Sequence, residues 1–556
     1  MTAAPVTENL SLLASAPGGV QKLRSLVIEL AIQGRLVPQD GNAESADVLL
    51  SAISKARAEF YEASPVRPAK VQAIVGSDEQ PSALPNGWRW ARLGWLAHPQ
   101  AGFAFKSAGF NQDSRGLPLV RIRDVGQSFS GTFFEGDYRP EFVVDDGDYL
   151  ISMDGEFRIA RWYAGKALLN QRVSRLLFFS RALRSEFVAF ALQARLRELQ
   201  GAKAYTTVDH LSGGQIADCV IALPPLEEQH RIVAKVDELM ALCDRLEAEH
   251  ADAEATHAKL VEALLATLIQ ARDAADFRAS WQQLAKHLHT LFTTEASVDA
   301  LKQTVLQLGV MGKLAAQNPM DEPARKLLER LARDRRESAA QLRFTDTKLS
   351  CPSHSEPFEL PSGWEWTTLA SLFRVITDGD HQAPPRAEHG VAFLTIGNIS
   401  AGRLDFDGCR QVETTYFEAL PAYRKPGLGD LLYTVVGATY GRPVLVDSDR
   451  PFCVQRHIAI LKRSEHLSER FALYLLKSPL VYKQASNCVT GTAQPTIPLR
   501  PLRSINVPLP PLDEQRRIVA KVDELLSLCD QLKLKLAQAR QHHEHLASVL
   551  VEEAAA

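Results

Sequence analysis

The chain has 556 residues, 46% of them hydrophobic and 23% charged, with a formal net charge of -3. That is enough apolar material for several buried cores, and length alone suggests about three to four domains. No apolar run approaches the ~20 residues that cross a bilayer, and no amino-terminal stretch joins a basic start to an apolar core, so a soluble, cytoplasmic protein with no membrane partner is expected.

In chain order, residues 23–36 have helical spacing, with Gly34 placed to end the helix. Residues 46–60 predict an amphipathic helix, and the polar, Pro-rich run 65–85 predicts a linker. LPNGWRW follows at residues 84–90. Short strands are predicted beyond it, at residues 119–125 and at 147–151, with Gln171-Arg172 ahead of another. Then comes LPPLEEQHRIVAKVDELMALCDRLE at residues 223–247. Pro224-Pro225 can end a strand and open a helix, and Glu227 and Glu228 in the first turn complement the helix dipole.

The whole series then repeats. LPPLDEQRRIVAKVDELLSLCDQLK at residues 509–533 agrees with the first block at 19 of 25 positions, 286 residues later. LPSGWEW at 360–366 matches LPNGWRW, and residues 301–314, ending near Gly312, match 23–36 at an offset of 278. A helix over 324–343 and a linker over 351–361 take their expected places, and Asp513 and Glu514 repeat the acidic first turn. The strands return at 393–399 and 429–433, with Gln455-Arg456 ahead of the next. One unit of roughly 280 residues is written twice, far beyond a solenoid period, which reads as a fused pseudo-dimer.

Inside the repeated block, Ile232, Val236, Leu239, Cys243 and Leu246 are spaced four, three, four and three, and Ile518, Val522, Leu525, Cys529 and Leu532 copy that spacing. This heptad-like seam predicts helix packing, with each helix as the natural partner of the other, antiparallel. Apolar positions return at Leu260, Leu264 and Leu268, and at Leu546, Val549 and Leu550. A continuous helix over 226–271 would be about 70 Å long.

The segments between the motifs carry a different charge from the helices. Residues 88–222 hold 17 Lys and Arg against 14 Asp and Glu, and residues 364–507 hold 16 against 13, so each stands at +3 and the remainder at -9. Mildly basic heads among acidic helices suit phosphate contact, though an excess of three is small. The heads differ almost completely between their shared landmarks while the helical blocks barely differ. That is the pattern of a device reading two targets at a set separation.

The motifs LxxLVIELAIQGRLVPQ, LPxGWxW and PLPPLxEQxRIVAKVDEL resemble the specificity subunit of type I restriction-modification systems over nearly the whole chain. The resemblance implies an α+β protein with two mixed α/β target-recognition domains, separated by two long antiparallel coiled-coil-like helices in an internal pseudo-two-fold repeat. The expected order is a helical segment and linker (1–80), a first target-recognition domain (81–222), a central helical region (223–282), a second helical segment and linker (283–359), a second target-recognition domain (360–507) and a carboxy-terminal helical region (508–556). Each target-recognition domain is implied to read one half of an interrupted sequence in double-stranded DNA. The implied partners are two methyltransferase subunits, joined by motor-nuclease subunits for restriction.

The residues themselves offer no chemistry of catalysis. No Pro-Pro pair follows Asn or Asp and precedes an aromatic residue, as an amino-methyltransferase loop requires, and no GxxxxGK[ST] loop is present. Asp145, Asp146 and Asp148 read as a solvated turn, and His542, His543 and His545 lack the i, i+4 pairing of a zinc site. The seven cysteines are scattered without a CxxC pair, so no metal site or disulfide framework is expected, and Cys243 and Cys529 read as buried helix residues. No cofactor is expected in this chain. S-adenosylmethionine, ATP and Mg belong to the implied partner subunits. Taken alone, divergent basic heads without catalytic motifs also fit a coiled-coil adaptor for proteins; the family motifs favour DNA.

For DNA contact, Lys106, Arg121, Arg123, Arg158 and Arg161 cluster near strand ends and turns of the first head. In the second, His381, Gln382, Arg386, Tyr440, Arg442 and Gln494 occupy Gly- and Pro-rich loops, where recognition residues are often carried.

Overall fold

The computed structural model describes residues 15–63, 75–201, 210–342, 356–380, 384–491 and 494–555, with Leu13, Val66 and Pro68. The chain forms two compact units, Met1–Asp252 with Arg540–Ala556, and Ala253–Ala539. Two 44-residue helices, Leu226–Ile269 and Leu512–Ala555, each begin in one unit and end in the other. None of the described helices is long and apolar enough to cross a membrane.

The first unit opens with the helix Gly19–Ile32, which buries Leu23, Leu26, Val27 and Leu30. It stops where expected: Gly34 takes φ +70, and the Arg35 N–H donates to the Leu30 carbonyl at 2.9 Å. The helix Ala46–Ala63 follows. Strand Arg89–Arg92 then leads into the first head and pairs antiparallel with strand Val220–Leu223, which leads out of it. The head is thus an insertion on a two-stranded neck. Its four-stranded sheet runs in the order Ala97–Ala101, Val173–Phe178, Tyr149–Ser152, Ile159–Arg161. A second sheet contains the parallel pair Leu117–Val120 and Ala167–Leu169. Helix Ser185–Gly201 supplies Phe187, Val188 and Leu192 to the core that also holds Trp88 and Ile232.

The second unit is built on the same plan. Helix Glu295–Val310 ends at Gly312, φ +73, and helix Ala324–Leu342 follows. The neck is Glu365–Thr368 paired with Asn506–Leu509. The four-stranded sheet has the matching order Val375–Asp378, Ile458–Lys462, Leu431–Thr434, Pro443–Leu445. Strands Val391–Leu394 and Phe452–Val454 form the parallel pair. Two heads with almost no sequence in common therefore share one scaffold.

Two expectations about elements need correction. The strands expected over 119–125 and 393–399 stop at Val120 and Leu394, and the chain turns into the 3-10 helices Ile122–Asp124 and Ile396–Asn398. A side-chain acceptor captures the turn in each. Asp124 Oδ2 accepts the Arg121 N–H at 2.8 Å, and Asn398 Oδ1 accepts the Thr395 N–H at 2.9 Å, offering the backbone an alternative to the ladder.

The second concerns what buries the helix seam: the other long helix supplies only part of it, and elements of the same unit supply the rest. Ile232 and Val236 are buried as expected, but among Val27, Ala31, Leu49 and Trp88 of their own unit. Cys243 joins Leu23, Leu26 and Ala547, while Leu239 is partly buried against the core and Leu246 is half-exposed. Ile518, Val522, Leu525 and Cys529 do the same against Val298, Leu301 and Val305, with Leu532 partly buried. The seam's neighbours thus include the short helix that precedes each head. Toward the far ends the apolar register shifts: Leu260 and Leu546 are 49% and 48% exposed, while Val261, Leu265, Leu268 and Ala547 are buried. Leu264, Val549 and Leu550 are half-buried. A helix turning 100° per residue cannot hold a strict seven-residue stripe over six turns without drifting. Ion pairs flank the contact equivalently, Arg24 to Asp244 and Lys302 to Asp530, both at 2.5 Å.

Candidate nucleic-acid interface

In the first head the 3-10 turn after Val120 puts Arg123 on the surface and leaves Arg121 half-exposed above buried Asp124. This turn lies against the hairpin Tyr149–Ser152 and Ile159–Arg161; a Cβ on Gly126 would meet the Ala160 Cβ at 3.4 Å. Arg121, Arg123, Arg158 and Arg161 therefore ride on two adjoining elements. Arg158 leaves the hairpin loop and donates to Glu156, and this guanidinium holds the Glu156 carboxyl below its ordinary pKa. Arg161 is the most committed of the four. It pairs with Glu186 at 2.7 Å and lies over the Tyr149 ring at 4.9 Å, so sheet packing occupies it. Lys106 is exposed before the 3-10 turn Ser107–Gly109, on a separate strand connection. Asp146 and Asp148 accept N–H groups of Gly165 and Asp145 at 2.7 and 3.0 Å, and Asp148 pairs with Arg175 at 3.2 Å.

In the second head, Arg442 is exposed at the matching end of a hairpin loop and donates to the Ser400 carbonyl at 2.8 Å. That bond ties the hairpin to the segment following the 3-10 turn Ile396–Asn398. Tyr440 faces inward, stacked on Tyr482 with 5.9 Å between centroids and its hydroxyl 3.3 Å from Ser486 Oγ. Arg386 and Gln494 are exposed. His381 and Gln382 lie outside the described residues.

Each head is fastened to its helices by a buried polar knot that joins the three repeated motifs. Trp88 Nε1 donates to Glu228 at 3.0 Å, and Gln39 Nε2 donates to the same carboxylate at 2.7 Å. In the second unit Trp364 and Gln317 donate to Glu514 at 2.9 and 2.6 Å. Burial raises both glutamate pKa values against the pull of these donors. Gln229 and Gln515 add a second tie: each donates to a Pro carbonyl and accepts a backbone N–H at the start of a head helix, from Arg184 at 3.1 Å and Ser468 at 3.1 Å. The indoles also close over the helix ends, since a Cβ on Gly34 would stand 2.8 Å from Trp88 Cζ2 and one on Gly312 3.0 Å from Trp364 Cζ2. Sequence reasoning gave Glu228 and Glu514 only a dipole role. The signal for more was available, because these positions are Glu in both copies while the neighbouring Glu227 becomes Asp513.

The type I restriction modification DNA specificity domain matches residues 85–256 and 361–539, which take in both heads and the start of each long helix. The chain belongs to this family of specificity subunits. Among its relatives, the specificity subunit of the type I restriction enzyme EcoAI of Escherichia coli is 28% identical, over 96% of this chain and 94% of that protein. The EcoEI specificity subunit of the same species is 29% identical over the same shares. In a solved type I R-M system, described for its assembly and conformational transition, one chain is 20% identical with a TM-score of 0.47, covering 85% of this chain and 99% of that one. Relatives of this kind are specificity subunits, and this chain is accordingly the specificity component.

Proposed function

We propose that each head reads one half of an interrupted duplex sequence, that the two long helices set the distance between the halves, and that methyltransferase and motor-nuclease subunits supply the chemistry. The observation that carries this reading is a family frame written twice around two heads of one scaffold and unlike surfaces. Support for the spacer role comes from the cores: in each unit the start of one long helix shares a cluster with the end of the other, Cys243 with Ala547 and Cys529 with Val261. This favours an antiparallel pair. Sequencing that maps methylated adenines in a genome carrying the system tests the whole: a two-part motif with an undefined gap is expected, and a continuous motif, or none, would overturn it.

Arg123 is the clearest candidate for base contact, exposed on a turn that the buried Asp124 carboxylate holds in place. Arg123→Ala should weaken binding to the native site by about 1 to 3 kcal/mol and relax one position of one half-site. Undiminished affinity with an unaltered motif would remove it from the interface.

The exposed face of the repeated block supports two copies of one partner. Lys235 pairs with Glu238 and Lys521 with Glu524, both at 2.8 Å, and all four side chains are at least one-third exposed. Identity at exposed positions has no packing cause, whereas recognition by the same surface supplies one. Native mass spectrometry of the co-expressed complex should show two methyltransferase subunits per chain. A one-to-one complex at saturation would refute that stoichiometry.

A further inference from the structure

The two heads differ in sequence, yet one small construction recurs in both. At the end of strand Tyr149–Ser152, the Ser152 hydroxyl donates to the Glu156 carbonyl at 2.6 Å and accepts the Arg158 N–H at 2.9 Å. At the end of strand Leu431–Thr434, the Thr434 hydroxyl donates to the Thr439 carbonyl at 2.6 Å and accepts the Arg442 N–H at 2.9 Å. Both hydroxyls are buried, at 1% and 0% exposure. The first loop residue is pinned alike as well. Met153 donates to the Arg172 carbonyl and accepts from Leu211 N–H at 3.0 and 2.7 Å; Val435 donates to the His457 carbonyl and accepts from Ile497 N–H at 3.0 and 2.8 Å.

Between these pins the heads part company. The loop tip is Asp154-Gly155-Glu156 in one and Gly437-Ala438-Thr439 in the other, and the second loop is two residues longer. The clamp absorbs this difference and delivers the backbone of an arginine to the same strand position each time, with the Arg158 side chain resting on Glu156 and that of Arg442 on the Ser400 carbonyl. The two arginines are not aligned by the repeat offsets of the sequence; only strand register makes them equivalent.

Resting on the DNA-reading function above, we infer that Arg158 and Arg442 are equivalent backbone-phosphate contacts, one per head, which set each head's register on the duplex. The physical ground is the contrast itself. A contact that reads bases must differ between heads that read different halves, whereas a phosphate looks the same beside any sequence, so the feature kept in common is the sequence-independent one. Arginine matches phosphate by its fork of donors. The neighbouring turns of Arg123 and Thr395 and the unlike loop tips are left to distinguish bases.

The test uses the full chain in complex with its methyltransferase subunits, binding three duplexes: the native site, one with a single half scrambled, and one with both scrambled. Arg158→Ala and Arg442→Ala should each lower affinity roughly ten-fold on all three, as loss of a charged hydrogen bond would. Each should make the fall of log affinity with log salt shallower by about 0.9. Arg158→Lys and Arg442→Lys should restore most of the slope, and the methylated motif should stay the same. Loss confined to duplexes that keep that head's own half-site, or a changed motif, would make the residue a base reader and overturn the inference. So would unchanged affinity and slope. If an alanine variant fails to fold, the glutamine variants, which keep the stem and drop the charge, give the same reading. Wild-type complex that does not prefer its native site would instead defeat the proposed function.

Discussion

Inserting four residues after both Glu254 and Arg540 should lengthen the undefined gap in the methylated motif by one or two base pairs and leave both half-sites unaltered. These positions lie where the long helices pass from one compact unit to the other, at matching points of the repeat. Four helical residues add about 6 Å and a net rotation of about 40°. A base pair adds about 3.4 Å and turns by roughly 35°. Translation and rotation thus change together in the sense that B-DNA requires. On the proposed antiparallel pairing, an insertion at Glu254 alone has to stretch against an unlengthened partner helix, so its shift should be smaller or its stability lower. Long-read sequencing of DNA modified by each variant reports the gap directly. A folded, active double insertion with the original gap would show that the helices do not set the spacing, and an altered half-site would mean that the heads had been disturbed.

Trp88→Ala should cost about 3 to 5 kcal/mol of local stability in the first unit, the range for removing a buried aromatic side chain. Trp88 is 1% exposed, contacts the Phe187 ring and donates to Glu228, so its loss opens a cavity and leaves a buried carboxylate short of a donor. Hydrogen exchange should accelerate in helix Gly19–Ile32 and in strands Arg89–Arg92 and Val220–Leu223 of the first unit. Trp364→Ala should transfer the effect to Glu295–Val310, Glu365–Thr368 and Asn506–Leu509. Exchange rates that do not move, or that rise equally in both units, would show that the knot is not what fastens a head to its helices.

The same knot predicts a pH dependence. Because burial raises the Glu228 and Glu514 pKa values, the folded chain holds these protons more tightly than the unfolded chain. Their contribution to stability is therefore greatest below the ordinary glutamate value near 4.5 and declines as pH rises through the elevated folded values. Glu228→Gln with Glu514→Gln should flatten that decline, measured as the denaturation midpoint against pH relative to the unmodified chain.

Much of this protein was legible along the sequence. The duplication, the helices at 226 and 512, the short helices ended by Gly34 and Gly312, and the strands opening at Tyr149 and Leu431 all follow from local signals: apolar period, Pro-Pro starts and left-handed glycine stops. The family followed from the same repeated words. What only the tertiary structure decided are the meetings between distant words. Trp88 and Glu228 lie 140 residues apart, and no local period records that an indole will donate to a carboxylate in the first turn of a helix. Of the seam positions, Ile232, Val236, Cys243, Ile518, Val522, Leu525 and Cys529 are buried and Leu246 is not, and the short helices share the burial with the ends of the long ones, because a stripe of apolar side chains specifies that a face is buried and not what buries it. The 3-10 turns after Val120 and Leu394 were missed because Asp124 and Asn398 compete with the sheet ladder at a single residue. The equivalence of Arg158 and Arg442 lay furthest from view: loops of unequal length shift the numbering, and only the pairing of strands through buried hydroxyls brings the two arginines to one position.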